Sequence, residues 1–139
     1  MEIVKDVLII GGGPAGMSAA LYLLRSKYSF VIVEKAMVGG KLSITTEIEN
    51  YPGVGKIDGL SLAMKMKDQL SEHGIKIEQD NILDINKEGN EFIAFGEKNT
   101  YKIKQIILAT GTNNKKLGIK KEYLIVQFVM ASFIEINQY

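Results

Sequence analysis

The sequence predicts an α/β domain: a parallel sheet with helices packed on it and a small antiparallel β-meander inserted before its last strand. Three observations carry this. Val7-Leu8-Ile9-Ile10 and Phe30-Val31-Ile32-Val33 are short apolar runs with a glycine turn and a helical pattern between them. Gln105-Ile106-Ile107-Leu108-Ala109-Thr110-Gly111 holds a continuous apolar stretch, the pattern of a parallel strand buried on both faces. Ahead of it, residues 81–104 contain three short strand-like segments joined by polar turns.

The first unit is the most informative. Gly11-Gly12-Gly13-Pro14-Ala15-Gly16 follows the first apolar run at once. A glycine at 11 permits a tight turn out of the strand, one at 13 lets a pyrophosphate approach the backbone, and one at 16 lets a helix lie close on the sheet. Met17, Ala19, Ala20, Leu21, Leu23 and Leu24 then supply the small and apolar residues of a helix expected over Pro14–Arg25. Its N-terminus would offer unpaired N–H groups and a positive dipole end to phosphates. Glu34 closes the second strand where a carboxylate accepts hydrogen bonds from the ribose of an adenine dinucleotide. A lone glycine turn would be weak evidence. Strand, turn, helix, strand and acid in register make a dinucleotide-binding unit.

A loop, Lys35–Leu42, and a polar stretch ending in Glu49-Asn50-Tyr51-Pro52-Gly53 come next, with a turn at Pro-Gly. Asp58 is placed to N-cap a helix over Leu60–His73, whose apolar stripe is Leu62, Ala63, Met66 and Leu70. The methionines read as core filler. Ile75 and Ile77 alternate with polar neighbours, as in a strand. Ile82–Ile85, Glu91–Phe95 and Thr100–Ile103 are the meander strands, with turns at Glu88–Asn90 and Gly96–Asn99.

Composition narrows the function classes. The chain has 139 residues, a formal net charge of +1 and no basic block, so no nucleic-acid or acidic-membrane partner is implied. No apolar stretch reaches the roughly 20 residues of a membrane span. The N-terminus enters a strand within a few residues, so the expectation is a cytoplasmic protein without a leader. There is no cysteine, hence no disulfide, thiolate nucleophile or thiolate metal site. His73 is the only histidine, which leaves no histidine metal set, and it stands beside Gly74 where a helix would end. No residue is assigned a catalytic role. Sixteen of the 17 basic residues are lysine, the exception being Arg25, as in an AT-rich genome.

Four motifs, GGGPAG at 11–16, EKAMVGGKL at 34–42, TTEIENYPG at 45–53 and ATGTNNKKLGI at 109–119, resemble the N-terminal part of low-molecular-weight thioredoxin reductases. The first and last are shared by many two-dinucleotide flavoproteins; ENYPG after a GG loop is more specific. The resemblance implies a Rossmann-like FAD/NAD(P)-binding fold, incomplete here, with residues 1–119 as the N-terminal half of a discontinuous FAD domain. It implies that Gly11, Gly13, Pro14, Ala15 and Gly16 line the FAD pyrophosphate, and Glu34 with Lys35 the adenosine ribose. Gly39, Gly40 and Lys41 would continue that loop, although family members commonly carry Gln at position 41. Asn50 would hydrogen-bond near the flavin ring, with an Asx-turn before Tyr51-Pro52 as the alternative. Ile82 would touch adenine through its backbone, and Thr110 and Gly111 would approach the cofactor. In the intact family NADPH reduces FAD, FAD reduces a Cys-x-x-Cys disulfide, and that dithiol reduces thioredoxin; the intact enzyme also has a homodimer partner.

Residues 120–139 do not follow the family pattern, and the genetic code suggests why. With each shifted codon taking the last base of one residue and the first two of the next, allowed codons from Lys121 onward can read GVSYCAVCDGKFYRNKSV. The single codon of Met130 forces the glycine after the Cys-x-x-Cys-Asp. The expectation is a frameshift between Gly118 and Glu122, and hence a chain inactive alone. Two other readings stand beside the reductase fragment: part of a ferredoxin/flavodoxin–NADP reductase-like flavoprotein, and a non-catalytic nucleotide-binding or interaction module. Sequencing the gene from codon 115 onward decides: the first reading expects Cys-x-x-Cys and a second GxGxxG in the shifted frame, and an uninterrupted original frame without them overturns it.

Overall fold

β1 (Glu2–Ile10) is apolar from Val7 onward, where Val7, Leu8 and Ile9 are buried. In the computed structural model, which describes residues 1–112, it pairs in parallel with β2 (Phe30–Glu34) and with β6 (Thr100–Leu108). β3 (Ile77–Gln79) extends the parallel sheet beyond β2. β4 (Ile82–Glu88) and β5 (Glu91–Gly96) continue it antiparallel beyond β6, giving the order β3-β2-β1-β6-β5-β4. Successive strand residues face opposite sides. Ile9 and Ile32 therefore pack with the helices, while Leu8 and Val33 pack with Ala94, Tyr101 and Ile103 of the meander.

α1 (Pro14–Leu23) and α2 (Gly59–Glu72) cover the first face, contributing Met17, Ala19 and Ala20 from one and Leu62, Met66 and Leu70 from the other. The stripe read on α2 is thus the buried stripe. Asp58 caps α2 as expected, its carboxylate accepting from the Ser61 N–H at 2.9 Å. At the other end Gly74 takes φ +75°, and the N–H groups of Gly74 and Ile75 donate back to Ser71 and Leu70 carbonyls, closing the helix. His73 is the C-cap residue. Met66 is buried core, as read, and Met64 of the same helix is half-buried.

Several boundaries differ from the sequence reading. α1 stops at Leu23 rather than Arg25, because the N–H groups of Arg25 and Ser26 turn back to the carbonyls of Tyr22 and Leu23 in a tighter turn. A 3₁₀ turn at Gly40–Ile44 occupies part of the segment read as loop. The third meander strand and the last parallel strand are one element, β6, pairing with β1 from Glu2↔Thr100 to Ile10↔Leu108. Its first half also pairs with β5, from Thr100 to Ile103. Leu108 is accordingly 64 % exposed, so the strand end is not buried on both faces among the described residues. The boundary expected at residue 119 and the segment from 120 onward lie outside the described residues.

No helix of the described residues is long and apolar enough to cross a membrane, and no group of three or more His, Cys, Asp or Glu among them could hold a metal ion. Leu70 is fully buried between α2 and the sheet. Leu70→Ala should lower unfolding free energy by about 2–5 kcal/mol with little change in m-value, measured by urea titration.

Candidate nucleotide-binding site

The site lies where the parallel strands β1, β2 and β6 end at their carboxyl edges, the place α/β sheets generally offer to a ligand. It is built from backbone first. Gly11 takes φ +116°, and a Cβ there would run into the Ala109 carbonyl at the end of β6. A Cβ on Gly16 would run into the Gly11 carbonyl, so α1 can seat against the turn only without a side chain at that position. Both glycines therefore do what the motif implies.

Gly13 is a different case. Its φ of −81° is open to any residue, and among the described residues a Cβ would meet only the Gly39 carbonyl at 3.9 Å. Packing within the described residues therefore does not call for glycine there, and the bare backbone is open to a group that approaches from outside. α1 starts at Pro14 with no side-chain cap and no acidic residue in its first turn. Its first backbone bond runs from the Met17 N–H to the Gly13 carbonyl, at 3.0 Å. The N–H groups of Ala15 and Gly16 thus face out of the helix end without an intrahelical acceptor, a setting suited to an anion.

Glu34 ends β2 beside this turn. Its carboxylate accepts from the Gly12 N–H at 2.7 Å and from the Ala36 N–H at 2.9 Å. The Gly12 carbonyl accepts from the Gly39 N–H at 2.8 Å, which ties the 39–40 loop to the turn. A Cβ on Gly12 would come within 2.9 Å of the Glu34 Cβ. Gly12 was not among the residues singled out, yet it joins all three segments. The signal available was its place as the middle glycine of three.

A cleft of about 130 Å³ opens at this edge, lined by Ile10, Gly11, Val33, Glu34, Lys35, Asp80, Asn81, Ile82 and Thr110. It gathers five of the predicted residues: Gly11, Glu34, Lys35, Ile82 and Thr110. Gly13, Gly39 and Gly40 stand together beside it, Pro14, Ala15 and Gly16 form the first turn of α1, and Gly111 follows Thr110. Lys41 lies outside the cleft lining, its Nζ donating to the Thr112 hydroxyl at 3.0 Å. Asn50 does not join them: it is exposed, between the Ile48–Ile57 bridge partners, and is not part of the cleft lining. Asp80 and Asn81 were not anticipated, since an Asp-Asn pair between two short strands looks like an ordinary turn.

Asp80 is the one buried charged residue among those described. Burial alone would push its carboxyl pKa up, but the Tyr101 hydroxyl and the N–H groups of Lys98, Asn81 and Asn99 outweigh that and hold it below the ordinary value. The same contact acts on Tyr101, whose pKa burial and the Asp80 bond push up to about 12.

An uncapped helix N-terminus behind a glycine turn, an acid at the end of the next strand and a small cleft between them define a dinucleotide-binding domain. Residues 5–136 match the pyridine nucleotide-disulphide oxidoreductase family, and the chain belongs to that family. It is 43% identical over 88% of its length to a thioredoxin reductase of Peptoclostridium acidaminophilum. Among solved structures it is similar to the thioredoxin reductase of Lactococcus lactis, with a TM-score of 0.78 and 41% identity over 85% of this chain and 39% of that one. It is also similar to the thioredoxin reductase of T. acidophilum, with a TM-score of 0.77 and 38% identity over 86% of this chain and 39% of that one. The chain spans about two-fifths of the length of the relatives it matches, 39% in the first case.

Gly16→Ala tests the close seating of α1. The added methyl overlaps the Gly11 carbonyl, so thermal and urea melts should show a loss of about 1–3 kcal/mol.

Proposed function

We propose that this chain binds FAD through its adenosine-pyrophosphate half and is the flavin-binding part of a thioredoxin reductase-type disulfide reductase. Gly13 carries the reading: it is a glycine for which packing among the described residues gives no reason, at the uncapped start of a helix. The pyrophosphate would rest on the turn from Gly11 to Gly16, with the backbone of Gly13, Ala15 and Gly16 against its oxygens. Glu34 would accept from the ribose hydroxyls, with Lys35 beside it. The Asn81–Ile82 backbone would border adenine, while Gly39, Gly40, Lys41, Thr110 and Gly111 would continue the cofactor-lining wall. Asn50 is proposed on the family pattern alone, near the flavin ring.

When bound, FAD would supply hydride and electron transfer between a reduced nicotinamide and a disulfide. This chain's residues would bind and orient the cofactor. With no cysteine in the sequence, the disulfide relay to thioredoxin must be supplied by residues outside it. NADPH as the donor, thioredoxin as acceptor, a homodimer and a cytoplasmic location belong to the proposal for the whole enzyme.

Titration with FAD, followed by flavin fluorescence, tests the binding. A saturable but weak association is expected, since a partial set of preorganised contacts recovers less of the ordering cost. Glu34→Ala should weaken it by about tenfold or more, as loss of hydrogen bonds to a charged group does. The purified chain should show no NADPH-dependent reduction of DTNB. Absence of any FAD or ADP binding overturns the nucleotide reading, and a stoichiometric yellow protein on purification overturns the weak-binding expectation.

A further inference from the structure

Asp80 is 3 % exposed and has no partner of opposite charge within salt-bridge distance among the described residues. Its carboxylate is held by neutral donors instead. Oδ1 accepts from the backbone N–H groups of Asn81 at 2.9 Å and Lys98 at 3.0 Å. Oδ2 accepts from the Tyr101 hydroxyl at 2.8 Å, the Asn99 N–H at 3.1 Å and the Asn99 amide at 3.5 Å. The turn between β5 and β6 is thus wrapped around one buried anion, and its Gly96 is tied to it sterically, since a Cβ there would lie 2.7 Å from the Asp80 Cγ.

Three further hydrogen bonds connect this knot to the cleft. The Asp80 N–H donates to the backbone carbonyl of Glu34 at 3.1 Å. Asn81, next in the chain, accepts the Glu97 N–H on its carbonyl at 3.0 Å and donates its side-chain amide to the Glu97 carboxylate at 2.9 Å. The segment from Asp80 to Ile82 is therefore held from the Glu34 side and from the meander side at once. An apolar residue could fill a buried site at lower desolvation cost; a charge held by several donors fixes one backbone geometry.

We propose that Asp80 is a positioning residue for adenine: by gathering the 97–99 turn and Tyr101 onto one carboxylate, it sets the Asn81–Ile82 backbone at the distance and angle from Glu34 that the adenosine end of a dinucleotide requires. This rests on the nucleotide-binding reading above and adds a residue that touches neither phosphate nor ribose. Asp80 acts on the base end of the ligand, whereas the glycine turn acts on the phosphates.

The test is an amide-detected NMR titration of the 139-residue chain with ADP and, separately, with inorganic pyrophosphate, for wild type, Asp80→Asn and Ile103→Val. Ile103 is buried in the same apolar cluster as Tyr101 but makes none of the bonds to the carboxylate, so it reports general loosening. The expected result is that Asp80→Asn, still folded, binds ADP about tenfold more weakly, in line with lost bonds to a charged group, with pyrophosphate binding unchanged and Ile103→Val like wild type. Equal ADP affinity in Asp80→Asn and wild type overturns the proposal and leaves the nucleotide reading standing. Equal weakening for both probes, or the same loss in Ile103→Val, also overturns it. Wild type binding neither probe overturns the nucleotide reading and this proposal together. If Asp80→Asn does not fold, Tyr101→Phe, which removes one of the five bonds, is judged by the same selective loss of ADP binding.

Discussion

The structure depends on backbone meeting backbone at residues 11–16. The first turn must leave β1, pass beside the end of β6 and start a helix that returns along the sheet. At Gly11 and Gly16 a single methyl group would overlap a carbonyl, and at Gly12 it would press on Glu34. This absence of side chains lets β1, α1, β2 and the 39–40 loop converge on a few ångströms of chain. The Gly12 peptide then serves both neighbours, its N–H bonded to Glu34 and its carbonyl to Gly39. Packing of α1 and shape of the cleft are consequences of the same constraint.

A second constraint acts from the other sheet face. The meander could cover Leu8 and Val33 by hydrophobic burial alone, which is favourable but has no preferred direction. The Asp80–Tyr101 contact adds direction, because a carboxylate shielded from water needs its donors at fixed angles. The two faces therefore differ in kind. The helix face is a packed apolar core, while the meander face is apolar with one polar pin beside the cleft.

The split has a functional counterpart. In the proposed function phosphates would meet the glycine turn, where conformational freedom and close approach matter, and the far side of the cleft would be framed by the strand edge that Asp80 secures. Lys41 bonds Thr112 shortly after β6. A cofactor lying along such a cleft would be held by backbone at one end and by a rigid edge at the other.

Much of this was legible in the sequence because it is local. The glycine turn, the Asp58 cap, the Leu62–Leu70 stripe and the paired apolar runs each depend on residues a few positions apart, and each is found where the pattern put it. Gly11 and Glu34 meet in the cleft as that order of elements implies, whereas Lys35, Ile82 and Thr110, which also line it, were expected from the family resemblance. What tertiary structure decided lies in contacts between distant residues. Gly12 meets Glu34 across 22 positions, Asp80 meets Tyr101 across 21, and Lys41 meets Thr112 across 71. The merger of two expected strands into β6, and the exposure of Leu108 at its end, follow from which neighbours each half of that strand finds. By itself the sequence determined the elements and the chemistry of the turn, since these are properties of short chain segments. Only folding decided which buried charge finds its donors and which apolar strand end stays open, because both depend on what the rest of the chain brings alongside.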